Sequence, residues 1–386
     1  NDTITESDQK ELSGFNSSLR VFGTCSQDST VKLSNDILSR FTVINTSEYT
    51  KNEQENVLKS YNIINSKNLS NEIIDLIIDF SKSVQNHFKK TMQFTQLINI
   101  LEICSRLIRT FSSIPPKNIL GIVLYRIFVG LLERRTEYKE KINTIFNEIN
   151  VPLPSQFLNP NNESPFLITN KDGFQVLESK ITGLHIHSTS VNDVDLNVAY
   201  TPTFVDMLDI IHFGISAKIP VILEGNAGQG KQKAIEYVAK HLGYEVNNIV
   251  LSKSTKVDDL LGKVSIEPDE KNNIHVKTNL TKLAKAIKSN SANNNTIFVL
   301  HNLNNASPAV LEKLTSLFDY SQNEFSLPDG TTHPKGEINV IGLFNPQNGI
   351  SDREKLPTSL IYSSIYHIVE NPTKIDVLQI AEALFK

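Results

Sequence analysis

One seven-residue stretch constrains this chain more than any other feature. Gly225-Asn226-Ala227-Gly228-Gln229-Gly230-Lys231 fits the pattern G-x-x-x-x-G-K. It follows a short apolar strand, Pro220–Glu224, and opens a helix predicted over Lys231–Leu242. Its glycines let backbone N–H groups turn toward a phosphate, the helix N-terminus adds positive potential, and the lysine reaches the outer phosphates. The stretch predicts a phosphate-binding loop; a chance glycine-rich turn is the alternative.

The residues that would complete a hydrolytic site are replaced. A metal-binding Ser or Thr is expected after the lysine, but the chain has Gln232. The strand Thr296–Leu300 should end in an Asp-Glu pair that holds the metal's water shell and polarises the attacking water. It ends in His301 and Asn302 instead, and neither side chain is an anion at neutral pH. We therefore expect a phosphate site that has lost its metal-binding hydroxyl and its catalytic acids.

Two further readings concern the same site. The strand Ile338–Leu343 runs into Asn345 and a proline. This asparagine is placed to contact the γ-phosphate or the attacking water as a sensor, although an ordinary turn residue is the alternative. An alternative to a site without hydrolysis is an active ATPase with unusual ligands. In that case Glu224, Asp258 or Asp259 would have to replace the missing acids.

Strands and helices alternate in residues 201–386, which predicts a parallel sheet with crossover helices. The expected fold class is α/β; a P-loop large subdomain that ends at the start of its own lid is what the family resemblance described below implies for these residues. Residues 66–150 show a helical period of apolar residues and predict an all-helical bundle. Residues 151–172, where Pro, Asn and Ser are frequent, predict a connector, and residues 151–200 are expected to form a linker or entry segment. Residues 1–65 are expected to hold short strands and turns, at least as far as Tyr61.

Composition narrows the function classes. The chain has 38 Lys and Arg against 42 Asp and Glu, a net charge of −4, which argues against direct binding to nucleic acid. No stretch reaches the roughly 18 apolar residues of a membrane-spanning helix, so no membrane contact is expected. Cys25 and Cys104 are too few for a disulfide framework or a zinc site, which indicates an intracellular location. The chain begins at Asn1 without a signal peptide, and we interpret it as a piece of a larger protein.

With these motifs the chain resembles the dynein-related branch of the AAA+ ATPases, most closely midasin-like tandem modules. Four segments carry the resemblance: Ile222–Lys231, Asn248–Gly262, Leu303–Glu312 and Leu356–Leu360.

An internal repeat extends the resemblance toward the start of the chain. Leu19–Thr24 with Leu33–Phe41 is similar to Asn339–Leu343 with Leu356–Ser364, at an offset of roughly 320 residues. The resemblance then implies that residues 1–65 end a preceding AAA+ large subdomain and that residues 66–150 are its helical lid. Arg40 stands in the arginine-finger position and would serve the site of the module before it, although a plain surface arginine is the alternative. In the second module Ser363 takes that position.

The resemblance implies a multi-module mechanochemical ATPase that remodels ribosome-assembly intermediates. The module with the phosphate loop would bind ATP or ADP, with or without well-ordered Mg²⁺, and would be structural in the ring and deficient in hydrolysis. Its partners would be neighbouring AAA+ modules of the same chain and pre-ribosomal factors. The location would be the nucleus or nucleolus for a midasin-like protein and the cytoplasm otherwise. A module of a dynein-like ring ubiquitin ligase is a further alternative.

Overall fold

The structure is a computed structural model, and its described residues fall into two units, Asn1–Tyr49 and Thr50–Lys386. In the first unit Arg40 is exposed in a turn, and the strand expected over Leu19–Thr24 lies outside the described residues. The described residues are 39–44, 49–64, 67–89, 92, 94–110, 112, 114–128, 138–153, 166–171, 174–179, 185–187, 199, 201–268, 274–289, 295–319, 324–334, 338–346 and 356–384.

Helices make up most of the described part of residues 50–150. Their apolar residues recur at helical spacing and meet in one core, where the ring of Phe80 packs edge-on against Phe128 and Phe146 with centroids 5.6 and 5.8 Å apart. This confirms the helical region expected before the α/β domain. The helices are α1 (Lys51–Ile64), α2 (Asn71–Phe88), α3 (Phe94–Thr110), α4 (Pro116–Phe128) and α5 (Lys139–Glu148).

The short strands and turns expected up to about Tyr61 are wrong for Lys51–Ile64, which forms α1. The helix starts where the carboxylate of Glu53 accepts hydrogen bonds from the backbone N–H and the hydroxyl of Thr50, both at 2.7 Å. Leu58 on this helix is fully buried against the bundle. The polar composition of the segment hides a narrow apolar stripe, which is why the sequence pattern misses the helix.

Residues 151–200 contain a small antiparallel sheet where only a linker was expected. Strand β1 (Phe166–Lys171) pairs with β2 (Phe174–Ser179), and β2 pairs with β3 (His185–His187). The prolines that suggested a linker all lie before β1, between residues 151 and 165.

The second half of the chain is built on a five-stranded sheet in the order β12-β4-β11-β8-β5, and every neighbouring pair is parallel. The strand that leads into the phosphate loop, β4, therefore lies inside the sheet between β12 and β11. The parallel sheet and its helices confirm the α/β fold class. The five strands are β4 (Val221–Glu224), β5 (Glu245–Val250), β8 (Thr296–His301), β11 (Asn339–Phe344) and β12 (Ile365–Ile368).

Successive residues of β4 point to opposite faces of the sheet and enter different cores. Val221 and Leu223 join the core shared with the bundle, whereas Ile222 joins a second core on the other face. The further elements are α6 (Pro202–Ala217), α7 (Lys231–Leu242), α8 (Val257–Leu261), α9 (Lys282–Ser289), α10 (Pro308–Phe318), α11 (Thr358–Tyr362), α12 (Lys374–Leu384) and the antiparallel pairs β6 (Gly262–Pro268) with β7 (Ile274–Leu280) and β9 (Glu324–Ser326) with β10 (Thr332–Pro334).

A buried ion cluster joins the bundle to the sheet. Arg126 of α4 is 1% exposed; its Nη1 lies 2.6 Å from Asp206 Oδ1, and its Nη2 bonds to Asp209 Oδ2. Nε2 of His367, on β12, lies 3.4 Å from the other oxygen of Asp206. Burial alone would lower the pKa of Arg126, but the two carboxylates raise it above its ordinary value, so the guanidinium stays charged. The bundle and the α/β domain therefore share both an apolar core and a charged contact.

Among the described helices, none is long and apolar enough to cross a membrane.

Candidate nucleotide site

The phosphate loop connects β4 to α7 at the carboxyl edge of the parallel sheet. Gly228 and Gly230 have φ values of 85° and 79°, in the left-handed region that favours glycine, and Gly230 is the N-cap of α7. At the other end of the loop, the Gly225 N–H donates to the carbonyl of Phe344, the last residue of β11, at 3.0 Å. The backbone thus turns at its glycines and presents the N-terminus of a helix, which is the arrangement that binds phosphate.

The lysine of the loop is folded back onto the loop itself. Lys231 is 7% exposed, and its Nζ donates to the carbonyls of Gly225 at 2.5 Å and Asn226 at 2.7 Å. Burial lowers the pKa of Lys231 to about 8, although the carboxylate of Glu224 acts against this fall. A phosphate would supply the counter-charge that the two carbonyls only partly replace.

The loop is also tied to the segment that follows β12. The Nδ2 of Asn226 and the Nε2 of Gln229 both donate to Oδ1 of Asn371 at 3.0 Å. The side chain of Gln229 lies so close over Gly225 that a Cβ there would collide with its Oε1. These hydrogen bonds therefore join the loop to the segment between β12 and α12.

Gln232 and His301, at the positions of the metal-binding hydroxyl and the first acid, converge on one residue of β5. The Oδ1 of Asn248 lies 2.9 Å from Nε2 of His301 and accepts from Nε2 of Gln232 at 3.4 Å. The same Gln232 nitrogen donates to Glu236 Oε1 at 2.7 Å. Burial lowers the pKa of His301, which keeps the imidazole neutral at pH 7.

Asn302, at the position of the second acid, has a left-handed backbone, with φ 56° and ψ 47°. It precedes a short 3₁₀ turn, Leu303–Asn305, and its carbonyl accepts from the N–H of Asn305 at 2.8 Å. Asparagine tolerates this conformation better than glutamate does. The backbone at this position therefore fits the residue that is present.

Asn345 lies beside the loop, because the preceding residue, Phe344, accepts the Gly225 N–H. Its backbone carbonyl accepts from Nδ2 of Asn304 at 2.9 Å, and Asn304 is 1% exposed. The buried amide thus holds the end of β11 at the mouth of the loop. The sensor role of Asn345 remains a prediction.

Two of the three carboxylates that could replace the missing acids, those of Glu224 and Asp259, accept hydrogen bonds from other residues. Glu224 Oε2 accepts the hydroxyl proton of Tyr366. Asp259 Oδ2 accepts the backbone N–H of Lys256 at 2.9 Å, and both Asp258 and Asp259 are exposed at the start of α8.

The donor set does not fit Mg²⁺, the ion that this kind of site uses for hydrolysis. Magnesium selects carboxylate and other oxygen ligands in octahedral geometry. Here Oδ1 of Asn248 is shared by two side-chain nitrogens, and the Gln232 amide nitrogen faces Asn248 and Glu236. Across the residues that could be searched, no group of three or more His, Cys, Asp or Glu side chains could hold a metal ion.

The structure thus brings together the loop, Gln232, His301, Asn302 and Asn345. Arg40 belongs to the first unit, and Ser363 is buried with its hydroxyl donating to the Ser359 carbonyl at 2.8 Å. Sequence reasoning missed Asn248 and Asn371, which touch the site residues directly. For Asn248, the sequence shows an amide side chain within a predicted strand of a parallel sheet, where apolar residues are usual.

Comparison with known proteins adds the family. Residues 220–361 match the sequence model described as "AAA domain (dynein-related subfamily)". The chain is 34% identical to the midasin of Giardia intestinalis over 144 residues, which are 37% of this chain and 3% of that protein. The crystal structure of a candidate ATPase of Cytophaga hutchinsonii aligns with 47% of this chain and 54% of its own, at 16% identity and a TM-score of 0.32. Residues 220–361 are therefore a AAA-type ATPase domain of the dynein-related subfamily.

Proposed function

We propose that this domain binds ATP or ADP on its phosphate loop without hydrolysing ATP, and that it is a structural module of a multi-module AAA+ ring. A AAA domain implies nucleotide binding in general. The glycine turns, the helix N-terminus and Lys231 need neither acid nor metal to hold phosphates.

The observation that carries the proposal is the neutral cluster of Gln232, Asn248 and His301 at the metal position. Hydrolysis needs stabilisation of the charge that develops on the transferred phosphoryl group and a base or orienting group for water. Neutral amides and an imidazole of lowered pKa supply neither the metal nor the carboxylate. Loss of one such group typically costs about 10²–10³ in rate, and several are replaced here.

The proposed ring also gives the domain a proposed role in a larger protein. The likeness to a midasin supports a place in a ribosome-assembly motor with neighbouring modules of the same chain as partners, in the nucleus or nucleolus. The same likeness favours this role over a ring ubiquitin ligase. Arg40, exposed in its turn, would complete the nucleotide site of the preceding module as an arginine finger.

The test is direct binding and turnover on the 386-residue chain. Isothermal titration with ADP and ATP should give binding, and Lys231→Ala should weaken it about tenfold or more, because a charge-assisted contact to phosphate is lost. ATP turnover should stay at background.

Lys240→Ala is the matched control, since Lys240 is exposed on the last turn of the same helix. ATP turnover that Lys231→Ala abolishes would support the active-ATPase hypothesis instead. Absence of binding to either nucleotide would leave a scaffold with a vestigial loop.

A further inference from the structure

Asn248 stands at the centre of the neutral cluster, although the family resemblance of its segment, Asn248–Gly262, gives it no role of its own. It lies on β5 in register with Val299 of β8, so His301, two residues further along β8, is its diagonal neighbour on the same face of the sheet. Gln232 reaches the same oxygen from the first turn of α7. The helix α7 and the strand β8 therefore each place one polar side chain against the amide of Asn248 on β5.

The two contacts orient the amide of Asn248. Its Oδ1 faces Nε2 of His301 and Nε2 of Gln232, so both neighbours present N–H groups to the oxygen. Within the described part of the chain, neither hydrogen of its Nδ2 is used in a hydrogen bond. The residue is exposed, so these two donors are open to an incoming ligand.

We propose that Asn248 is a ligand of the nucleotide phosphates and takes the place of the divalent cation, with His301 and Gln232 as its positioning residues. The inference rests on the proposed nucleotide binding. The phosphate oxygens of a nucleoside di- or triphosphate are acceptors, and the Nδ2 donors supply hydrogen bonds where a metal would supply charge. Closure of Oδ1 by two donors removes the lone pairs that a metal would need.

The test compares the ADP and ATP affinities of the full chain in excess EDTA and in excess Mg²⁺ by isothermal titration. For the natural chain the dissociation constants should agree within about threefold between the two conditions. Asn248→Asp should weaken binding in EDTA about tenfold or more, because a donor is exchanged for a negative charge. Part of that loss should return with Mg²⁺, which the new carboxylate attracts.

Asn248→Ala should lose affinity equally with and without Mg²⁺. Asn247→Ala is the matched control, because Asn247 is the preceding residue of β5 and faces the opposite side of the sheet. Circular dichroism and thermal unfolding of the nucleotide-free variants check the fold.

The outcomes separate the two proposals. If the natural chain binds neither nucleotide, the proposed function fails and this inference fails with it. If the natural chain binds while Asn248→Asp binds equally well in EDTA, or if Mg²⁺ strengthens natural binding tenfold or more, only the role of Asn248 is overturned.

Discussion

Two regions differ in the charges that they carry. One is the contact between the bundle and the sheet, and the other is the phosphate loop. At the contact, Arg126 is buried and paired with the carboxylates of Asp206 and Asp209, which come from a different helix. Around the loop, the positions at which a hydrolytic site would carry charge hold side chains that are neutral at pH 7. Lys231 is the buried charge of the loop, whereas Gln232, His301 and Asn302 are neutral.

The free-energy cost of burying a charge explains why the difference between the two regions is informative. A buried charge is retained only when partners compensate its desolvation, and removal of one partner is strongly destabilising. A neutral amide cluster is cheaper to keep but cannot activate water or bind Mg²⁺. This contrast supports the proposal that the module keeps its mechanical connection and does not hydrolyse ATP.

The largest expected effect comes from breaking the charged contact. Arg126→Met should lower the free energy of unfolding by about 3–5 kcal/mol, because it removes the cation shared by the buried carboxylate of Asp209 and the half-buried carboxylate of Asp206. Urea unfolding followed by circular dichroism measures it. Adding Asp206→Asn and Asp209→Asn to that variant should recover much of the loss. A loss that stays the same in the triple variant would show that packing, and not charge, is what Arg126 contributes.

A second prediction concerns the one buried cation of the described loop. The pKa of Lys231 is about 8 in the free protein, and bound phosphates would raise it. Binding therefore takes up a proton above pH 8, so nucleotide affinity should be level below pH 8 and fall by up to about tenfold per pH unit above it.

Titration calorimetry from pH 7 to about 9.5 measures this slope. Lys231→Arg is the control, because a guanidinium stays charged throughout this range. An equal fall of affinity in Lys231→Arg would assign the slope to another group.

The smallest effect tests the backbone at the second acid position. Asn302→Glu should lower the free energy of unfolding by about 1 kcal/mol, since a glutamate is strained at φ 56°. Asn302→Gly should be close to neutral, because glycine adopts this conformation readily. If the glutamate variant is as stable as the natural chain, the turn can rearrange, and the absence of the acid has no backbone cause.

Much of the α/β part was predictable because its signals are local. The strand before the loop, expected over Pro220–Glu224, forms over Val221–Glu224, and the expected strand Thr296–Leu300 extends by one residue to His301. The segment Lys51–Ile64 and the sheet over Phe166–His187 were missed. In Lys51–Ile64, polar residues mask the apolar pattern, and tertiary contacts such as the burial of Leu58 supply the stability that local propensity lacks.

The candidate site divides in the same way. The loop and the replaced residues Gln232, His301 and Asn302 stand at fixed distances from recognisable strands, so they could be found in the chain itself. Asn248 and Asn371 could not, because their importance depends on which strands and loops are neighbours.

By itself, the sequence determined the position of the phosphate loop, since its glycines adopt the left-handed backbone that the turns of the loop require. The sequence also determined that no acidic residue stands at positions 301 and 302, because the identity of a residue does not depend on folding. Only the tertiary structure decided what fills their place. Residues 232, 248 and 301 are far apart in the chain, and only the packing of α7, β5 and β8 brings their side chains within hydrogen-bonding distance.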